Sequence, residues 1–249
     1  MFLFQIITLF PERFEAYFHT GLPKRALKNQ IINYRIANLL DFAIVKNKKK
    51  IIDGKPFGGG TGMILRIEPV DRALRSFENS YPVIAMTPGG ILLTQDFILS
   101  LHDELKKNQI HGLTFLSGYY EGFDQRILDH LVDLEVSIGD FVLNSGDLAI
   151  LCFIDAFMRY LPGFVGKPQS LEEESFSLEY KEEKKLLEYP QYTKPREYKG
   201  WKVPEILLSG NHSLIDKWRK EKSLERTNRR KLRWNLNLRG LKNEHRTNE

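Results

Sequence analysis

The chain has 249 residues, of which 42% are hydrophobic and 12% aromatic, and it carries a formal net charge of +5. The length suffices for one large α/β domain, or for a catalytic domain with a small extension. The hydrophobic and aromatic fractions allow a buried core and exclude disorder along the whole chain. A single cysteine, Cys152, excludes an internal disulfide framework. The first residues lack the features of a secretory signal, and no apolar run reaches the roughly 20 residues of a membrane span. We therefore expect a cytoplasmic protein with no membrane partner.

Predicted strands and helices alternate along residues 2–161. In chain order they are a buried strand over 2–9, a helix opened by Pro11, a helix around 24–28, a strand over 82–86, a helix over 96–105, a strand over 113–116, a helix over 124–131, a strand over 134–138 and a buried helix over 147–161. This alternation indicates an α/β fold with a mostly parallel sheet. Ligands bind at the carboxyl ends of such strands, which predicts a site at residues 86–90, 118–122 and 138–146.

The pattern changes after Pro162-Gly163. Residues 165–200 lack clean periodicity and are interpreted as a linker, with Glu172-Glu173-Glu174 at its centre. Residues 201–249 return to helical patterning, and ten Lys or Arg stand against three acidic residues between Ser213 and Arg239. We therefore predict a main domain over 1–164, a linker over 165–200 and a small basic helical domain over 201–249.

A glycine-rich segment, Gly58-Gly59-Gly60-Thr61-Gly62-Met63, ends a polar stretch of the chain. A phosphate-binding P-loop needs Lys and Ser/Thr after its last glycine, and a dinucleotide fingerprint needs glycine at position 63, so neither motif is present. Two interpretations stay open. The segment is a flexible surface turn, or its backbone closely approaches a planar ligand or base.

Two later segments combine glycine with polar side chains at strand ends. In residues 117–126, Glu121 is a candidate to accept a hydrogen bond from a purine or a ribose, and Asp124 is predicted to cap the next helix. In residues 137–147, exposed backbone groups could bind an adenine edge. The alternative is a plain strand-to-helix connection, with Asp147 as the acidic residue at the helix N-terminus.

Asp155 and Arg159 lie four residues apart on the apolar helix and share a face. They form a structural ion pair, or Arg159 serves an anionic reacting group. The six histidines show no metal-ligand spacing and the chain has no nucleophile-elbow motif, so we predict no metal ligands and no covalent catalysis.

Together these segments resemble the bacterial tRNA (guanine-N1)-methyltransferase family of the SPOUT class. The matching blocks run in order through almost the whole chain. The most specific are Gly58-Gly59-Gly60-Thr61-Gly62-Met63, Ser137-Ile138-Gly139-Asp140-Phe141-Val142-Leu143 and Leu207-Leu208-Ser209-Gly210-Asn211-His212.

The resemblance implies a parallel sheet threaded into a deep trefoil knot, which binds S-adenosylmethionine, and a homodimer with active sites at its interface. It implies a tRNA substrate methylated on guanine 37, the guanine 3′ of the anticodon, and a magnesium requirement. The residues expected to contact the cofactor come from the three strand-end segments. They are Met86, Pro88, Gly118, Tyr120, Glu121, Ile138, Gly139, Asp140, Phe141, Val142, Leu143, Ser145 and Gly146.

Two catalytic residues follow from the resemblance by position. Arg159 matches an arginine that stabilises the guanine, and Glu174 stands where the family has an aspartate as general base, with Glu172 and Glu173 as alternatives. Other departures are Tyr119 in place of the arginine of a G-R-Y-E-G pattern, and Ser145-Gly146-Asp147 in place of two glycines and a glutamate.

Three rival hypotheses remain beside an active tRNA methyltransferase. Tyr119 and Glu174 would favour an RNA-binding protein that has lost catalysis on the same scaffold. An enzyme of the same knotted class acting on another RNA is disfavoured by the basic C-terminal domain and the block at 207–212. A nicotinamide-dependent enzyme is disfavoured by the glycine spacing.

Overall fold

The computed structural model describes residues 1–166, Leu171 and 173–233, with only the backbone for 231–233. The chain divides into two compact units at Gly166, and each is described by itself. The strands of the first unit are β1 (Phe2–Thr8), β2 (Ile32–Asn38), β3 (Ile44–Lys46), β4 (Lys49–Ile51), β5 (Asp53–Gly54), β6 (Ile64–Leu65), β7 (Val83–Leu92), β8 (Gly112–Leu116) and β9 (Leu134–Ser137). Its helices are α1 (Pro11–Phe18), α2 (Gly21–Lys28), α3 (Ile67–Arg75), α4 (Gln95–Lys107), α5 (Gln125–Leu131) and α6 (Asp147–Met158), with a 3₁₀ helix at Leu39–Phe42.

A five-stranded sheet in the order β2-β1-β8-β7-β9 forms the centre of the first unit, and every neighbouring pair is parallel. The predicted α/β fold with a parallel sheet is therefore confirmed. All seven residues of β1 are buried, as expected for a strand covered on both faces. Because the strands run in one direction, β7, β8 and β9 all end at the same edge of the sheet.

Phenylalanine side chains join the sheet to α6. Phe4 of β1, Phe115 of β8, and Phe153 and Phe157 of α6 are fully buried. The rings of Phe115 and Phe153 lie 5.0 Å apart, and those of Phe4 and Phe157 lie 6.3 Å apart. Burying each such side chain contributes roughly 1.5–3 kcal/mol. This packing holds α6 against the sheet and thereby sets the position of its N-terminus, where Asp147 lies.

Strand β7 differs from its predicted course. Residues 87–90 were expected to be a turn that ends the strand, but the strand resumes at Ile91. Both Met86 and Ile91 pair with Val136 of β9, so the four residues between them form an excursion from the ladder. A Cβ atom added to Gly90 would lie 2.4 Å from the backbone nitrogen of Val136. Glycine thus lets the returning chain pass directly over β9.

Other predicted boundaries shift by a few residues. Helix α6 ends at Met158, with Arg159 as its C-terminal cap, rather than at Leu161. Strand β2 was not predicted. Asp124 caps α5, because its side chain accepts a hydrogen bond from the backbone nitrogen of Arg126 at 3.0 Å. The predicted cap is therefore confirmed.

The second unit contains two hairpins and a long helix. The hairpins pair β10 (Leu178–Tyr180) with β11 (Glu183–Leu186), and β12 (Glu197–Tyr198) with β13 (Trp201–Lys202). A 3₁₀ helix follows at Glu205–Leu208, and α7 spans His212–Arg233. One stripe of α7 is buried, at Ile215, Ser223 and Thr227. The hydroxyl of Thr227 accepts a hydrogen bond from the backbone nitrogen of Leu187, which joins α7 to the end of β11.

Across the described residues, no helix is long and apolar enough to cross a membrane.

The contact of Gly90 with β9 predicts a local stability difference between adjacent glycines. We expect Gly90→Ala to lower the free energy of unfolding by about 1–3 kcal/mol, because the added methyl must displace backbone rather than a flexible side chain. Gly89→Ala is the matched control, since nothing lies within 4 Å of its added Cβ, and its effect should stay within about 0.5 kcal/mol. Urea unfolding measures both variants. Equal stability would contradict the close contact.

Candidate functional site

A cavity of about 490 Å³ lies at the carboxyl ends of β7, β8 and β9. This volume falls within the roughly 300–1,000 Å³ of small-molecule sites. Its walls come from the excursion of β7, the segment 118–123, the end of β9 with the segment 138–146, and α5 and α6. The three strand-end segments that the sequence predicted to form one site are thus brought together around one cavity.

Twelve of the thirteen residues predicted to contact a cofactor line this cavity. They are Met86, Pro88, Gly118, Tyr120, Glu121, Ile138, Gly139, Phe141, Val142, Leu143, Ser145 and Gly146. Asp140 does not line it and is exposed. Sequence reasoning missed further lining residues. Thr87, Tyr119 and Asn144 belong to the same strand-end segments, whereas Leu128 of α5 and Ala149 of α6 are brought in by the packing of those helices.

Two glycines bring the cavity segments into direct contact. The backbone nitrogen of Gly146 donates a hydrogen bond to the carbonyl of Gly118 at 2.9 Å. A Cβ atom added to Gly146 would lie 3.0 Å from the nitrogen of Gly118 and 3.2 Å from the Cα of Ser117. The two segments therefore form one continuous wall, which leaves no room for a side chain between them.

The glycine-rich segment at 58–63 packs against this wall. The backbone nitrogen of Glu121 donates to the carbonyl of Met63 at 3.0 Å. Gly62 has a φ of +80°, and a Cβ atom added there would lie 2.4 Å from Cγ of Glu121. Gly58 and Gly59 also have positive φ but face open space. Gly62 thus closely approaches Glu121 of the same chain, and an approach of this segment to a planar ligand or base stays a prediction.

A buried carboxylate stands behind the cavity wall. The Asp147 side chain is fully buried at the start of α6. Its Oδ1 accepts hydrogen bonds from the hydroxyls of Thr8 at 2.8 Å, Ser117 at 2.7 Å and Tyr119 at 2.6 Å. Its Oδ2 lies 2.8 Å from a guanidinium nitrogen of Arg13. The carboxylate therefore joins β1, α1, the end of β8 and α6 at one point.

The hydroxyl of Tyr119 donates into this cluster. Burial, followed by the hydrogen bond to Asp147, raises the pKa of Tyr119 to about 12. The phenol consequently stays protonated, and a donor, across the neutral range. In the sequence, Tyr119 and Asp147 stand out as departures from a family pattern, and Asp147 also as a helix-terminal acid, but nothing indicates that they touch. Their contact spans 28 positions in the chain, and no local signal reveals it.

The two predicted catalytic residues belong to different units. Arg159 is half-buried at the end of α6 in the first unit. Asp155, its neighbour one turn earlier, accepts a hydrogen bond from the hydroxyl of Tyr17 at 2.5 Å. Glu174 is half-buried in the second unit, and its carbonyl accepts from the nitrogen of Ser177 at 3.1 Å.

Glu173 and Glu172 are the alternatives to Glu174 as the general base. Glu173 is exposed, and its carboxylate accepts a hydrogen bond from the hydroxyl of Tyr189 at 3.0 Å. The guanidinium of Arg219 lies 4.7 Å from the centre of the Tyr189 ring. Glu173 thus takes part in a contact within the second unit. Glu172, the remaining alternative, lies outside the described residues.

No group of three or more His, Cys, Asp or Glu side chains within the described ranges is arranged to hold a metal ion.

The known proteins to which this chain is similar are tRNA (guanine-N1)-methyltransferases. A family model described as tRNA (guanine-1)-methyltransferase TrmD matches residues 2–237. The tRNA (guanine-N(1)-)-methyltransferase of Staphylococcus carnosus is 43% identical over 89% of this chain and 85% of its own length. The proteins of the same name from Gloeobacter violaceus and Clostridioides difficile are 44% and 42% identical, over 91% and 92% of this chain and 95% of each relative.

The raised pKa of Tyr119 predicts a loss of stability at alkaline pH. Its contribution is complete below pH 10, the ordinary value, and is lost as the pH rises toward the folded value of about 12. Full ionisation would remove about 2–3 kcal/mol of the free energy of unfolding. Tyr119→Phe should therefore show a shallower decline in stability than the wild type between pH 9 and 11, measured by urea unfolding.

Tyr198→Phe is the control, because Tyr198 is 56% exposed. Its stability should follow the wild-type profile. A Tyr119→Phe profile parallel to the wild type would show that the phenol is not held as a donor to Asp147.

Proposed function

We propose, because the chain belongs to the tRNA (guanine-1)-methyltransferase family, that it transfers a methyl group from S-adenosylmethionine to N1 of guanine 37 of tRNA. The observation that carries this proposal is the cavity at the carboxyl ends of β7, β8 and β9, lined by twelve of the thirteen residues expected to contact the cofactor. It lies where ligands bind in parallel sheets.

The residues around the cavity fit S-adenosylmethionine. Apolar walls from Met86, Ile138 and Leu143 suit an adenine ring, and the segment 138–146 offers backbone donors and acceptors for its edge. The absence of a side chain at Gly146 lets the segments that contain Gly118 and Gly146 meet directly at the cavity wall. When bound, the cofactor supplies a methyl group on a sulfonium, so no covalent intermediate with the protein is needed.

Glu174 and Arg159 are proposed to act on the guanine. N1 of guanine carries a proton and becomes a good nucleophile only when a base removes that proton. The carboxylate of Glu174 is assigned to this step, because Glu174 stands at the position of the family's general base. Negative charge then develops on O6, which the guanidinium of Arg159 is proposed to stabilise.

The second unit is proposed to hold the tRNA. The lysines and arginines of α7 suit the phosphate backbone, and the side chains of Tyr198 and Trp201, 56% and 73% exposed, suit the stacking of unpaired bases. The first unit would then bind the cofactor, and the second unit, which contains both hairpins and α7, would hold the tRNA.

Further properties are proposed from family membership. They are a deep trefoil knot in the sheet, a homodimer with active sites at its interface, and action on tRNA in the cytoplasm. A magnesium requirement is also proposed from family membership, and no residue of the chain is assigned to hold the ion.

A transfer assay tests the proposed function. The purified protein is incubated with labelled S-adenosylmethionine, magnesium and a tRNA that carries guanine at position 37, beside the same tRNA with adenine there. We expect label on the first tRNA and none on the second. Cofactor binding without transfer to either would instead favour an RNA-binding protein that has lost catalysis.

Adjacent glutamates allow a matched test of the base. Glu174→Gln should lower the rate of transfer by about 10²–10⁴-fold, because the amide cannot remove the N1 proton. The cofactor dissociation constant should stay unchanged. Glu173→Gln, next to it in the chain, should keep nearly the wild-type rate. A large loss for Glu173→Gln and none for Glu174→Gln would reassign the base.

A further inference from the structure

The carboxylate of Asp147 needs compensation, because it is fully buried. A buried charge is tolerated when it is paired with an opposite charge and its oxygens accept hydrogen bonds. The hydroxyls of Thr8, Ser117 and Tyr119 supply hydrogen bonds but no charge. Among the described residues, the salt bridge to Asp147 comes from Arg13 alone.

Arg13 is held in place from α1. Its guanidinium lies 4.5 Å from the centre of the Phe10 ring, and that ring packs edge-on against Tyr119 at 5.6 Å. The same nitrogen that contacts Asp147 also donates to the hydroxyl of Ser145 at 3.1 Å. One side chain therefore touches both the buried carboxylate and a residue of the cavity wall.

The position of Tyr119 connects this cluster with the family pattern. That pattern has an arginine there, beside a glutamate at the position of Asp147. In this chain the two positions are in direct contact, with the phenol oxygen 2.6 Å from each carboxylate oxygen. The phenol occupies the place of the arginine but brings no positive charge.

We propose that Arg13 is a positioning residue that supplies, from α1, the positive charge which the family pattern places at position 119. The departures at Tyr119 and Asp147 are then two parts of one rearranged cluster, and they give no reason to expect lost catalysis. The role of this cluster in methyl transfer rests on the proposed function.

The residues around Asp147 affect the cavity because they belong to the two segments that form its wall, the one after β8 and the one before α6. Ser117 and Tyr119 lie at the end of β8, and Ser145 and Asp147 flank Gly146. Neutralising the guanidinium leaves a buried carboxylate supported by hydroxyls alone, which favours water entering the cluster or a rearrangement of the segments around it. Either change loosens the contact between Gly118 and Gly146, and the shape of the cofactor cavity changes with it.

The test measures cofactor affinity and methyl transfer in four variants of the full-length protein. Arg13→Gln should raise the dissociation constant and the KM for S-adenosylmethionine on the order of tenfold, since small displacements of a binding wall are costly. The kcat at saturating cofactor should change much less. Arg13→Lys, which keeps the charge, and the double variant Arg13→Gln with Tyr119→Arg, which returns the charge to position 119, should recover most of the affinity.

Arg35→Gln is the matched control. Arg35 is exposed to a similar extent, 46% against 45%, but its partner Glu78 is on the surface. Its affinity should equal that of the wild type. Calorimetric titration with S-adenosylmethionine gives the affinity, and circular dichroism at the same temperature establishes that each variant is folded.

The outcomes separate the two proposals. Unchanged affinity in Arg13→Gln would overturn the role of Arg13. Reduced affinity that neither Arg13→Lys nor the double variant recovers would overturn the claim that the charge is what matters. If the wild-type protein binds the cofactor but methylates no tRNA, the proposed function fails, and the titration still decides the role of Arg13.

Discussion

The carboxylate of Asp147 is the point on which the ligand-binding edge of the sheet is assembled. A carboxylate without access to water needs hydrogen-bond donors around it. In a folded chain these donors are supplied by the segments that pack next to the carboxylate. Here they come from β1, α1 and the end of β8. The need to satisfy one carboxylate thus fixes the mutual position of elements that hydrophobic packing alone would hold less specifically.

Glycine provides the second constraint at this edge. Hydrogen bonds around Asp147 can draw the segments together only if no side chain stands between them, and Gly146, whose added Cβ would lie 3.0 Å from the nitrogen of Gly118, meets that condition. Gly62 does the same on the other side of Glu121. Close backbone contacts therefore hold these segments together, and side chains such as Met86, Ile138 and Leu143 line the cavity that they enclose.

Much of the site could be predicted from the sequence because its signals are local. Glycine after apolar runs marks the ends of β8 and β9, proline and glycine mark the place where β7 leaves its ladder, and parallel strands bring these segments to one edge. Strand β2 was missed because only two of its seven residues are buried, and its polar residues hide the pattern. The contact between Thr8 and Asp147 spans 139 positions. Only the packed sheet brings such partners together, so periodicity carries no trace of them.

The excursion in β7 has a consequence for how this fold can vary. Met86 and Ile91 both pair with Val136, and Leu92 pairs with Ser137, so the ladder with β9 restarts at the residue of β9 where it stopped. Insertions or deletions within residues 87–90 can therefore alter the rim of the cavity without shifting the strand register, provided that the glycine crossing β9 is kept. The shape of this rim can therefore change in length and sequence while the sheet beneath it keeps its hydrogen-bond ladder.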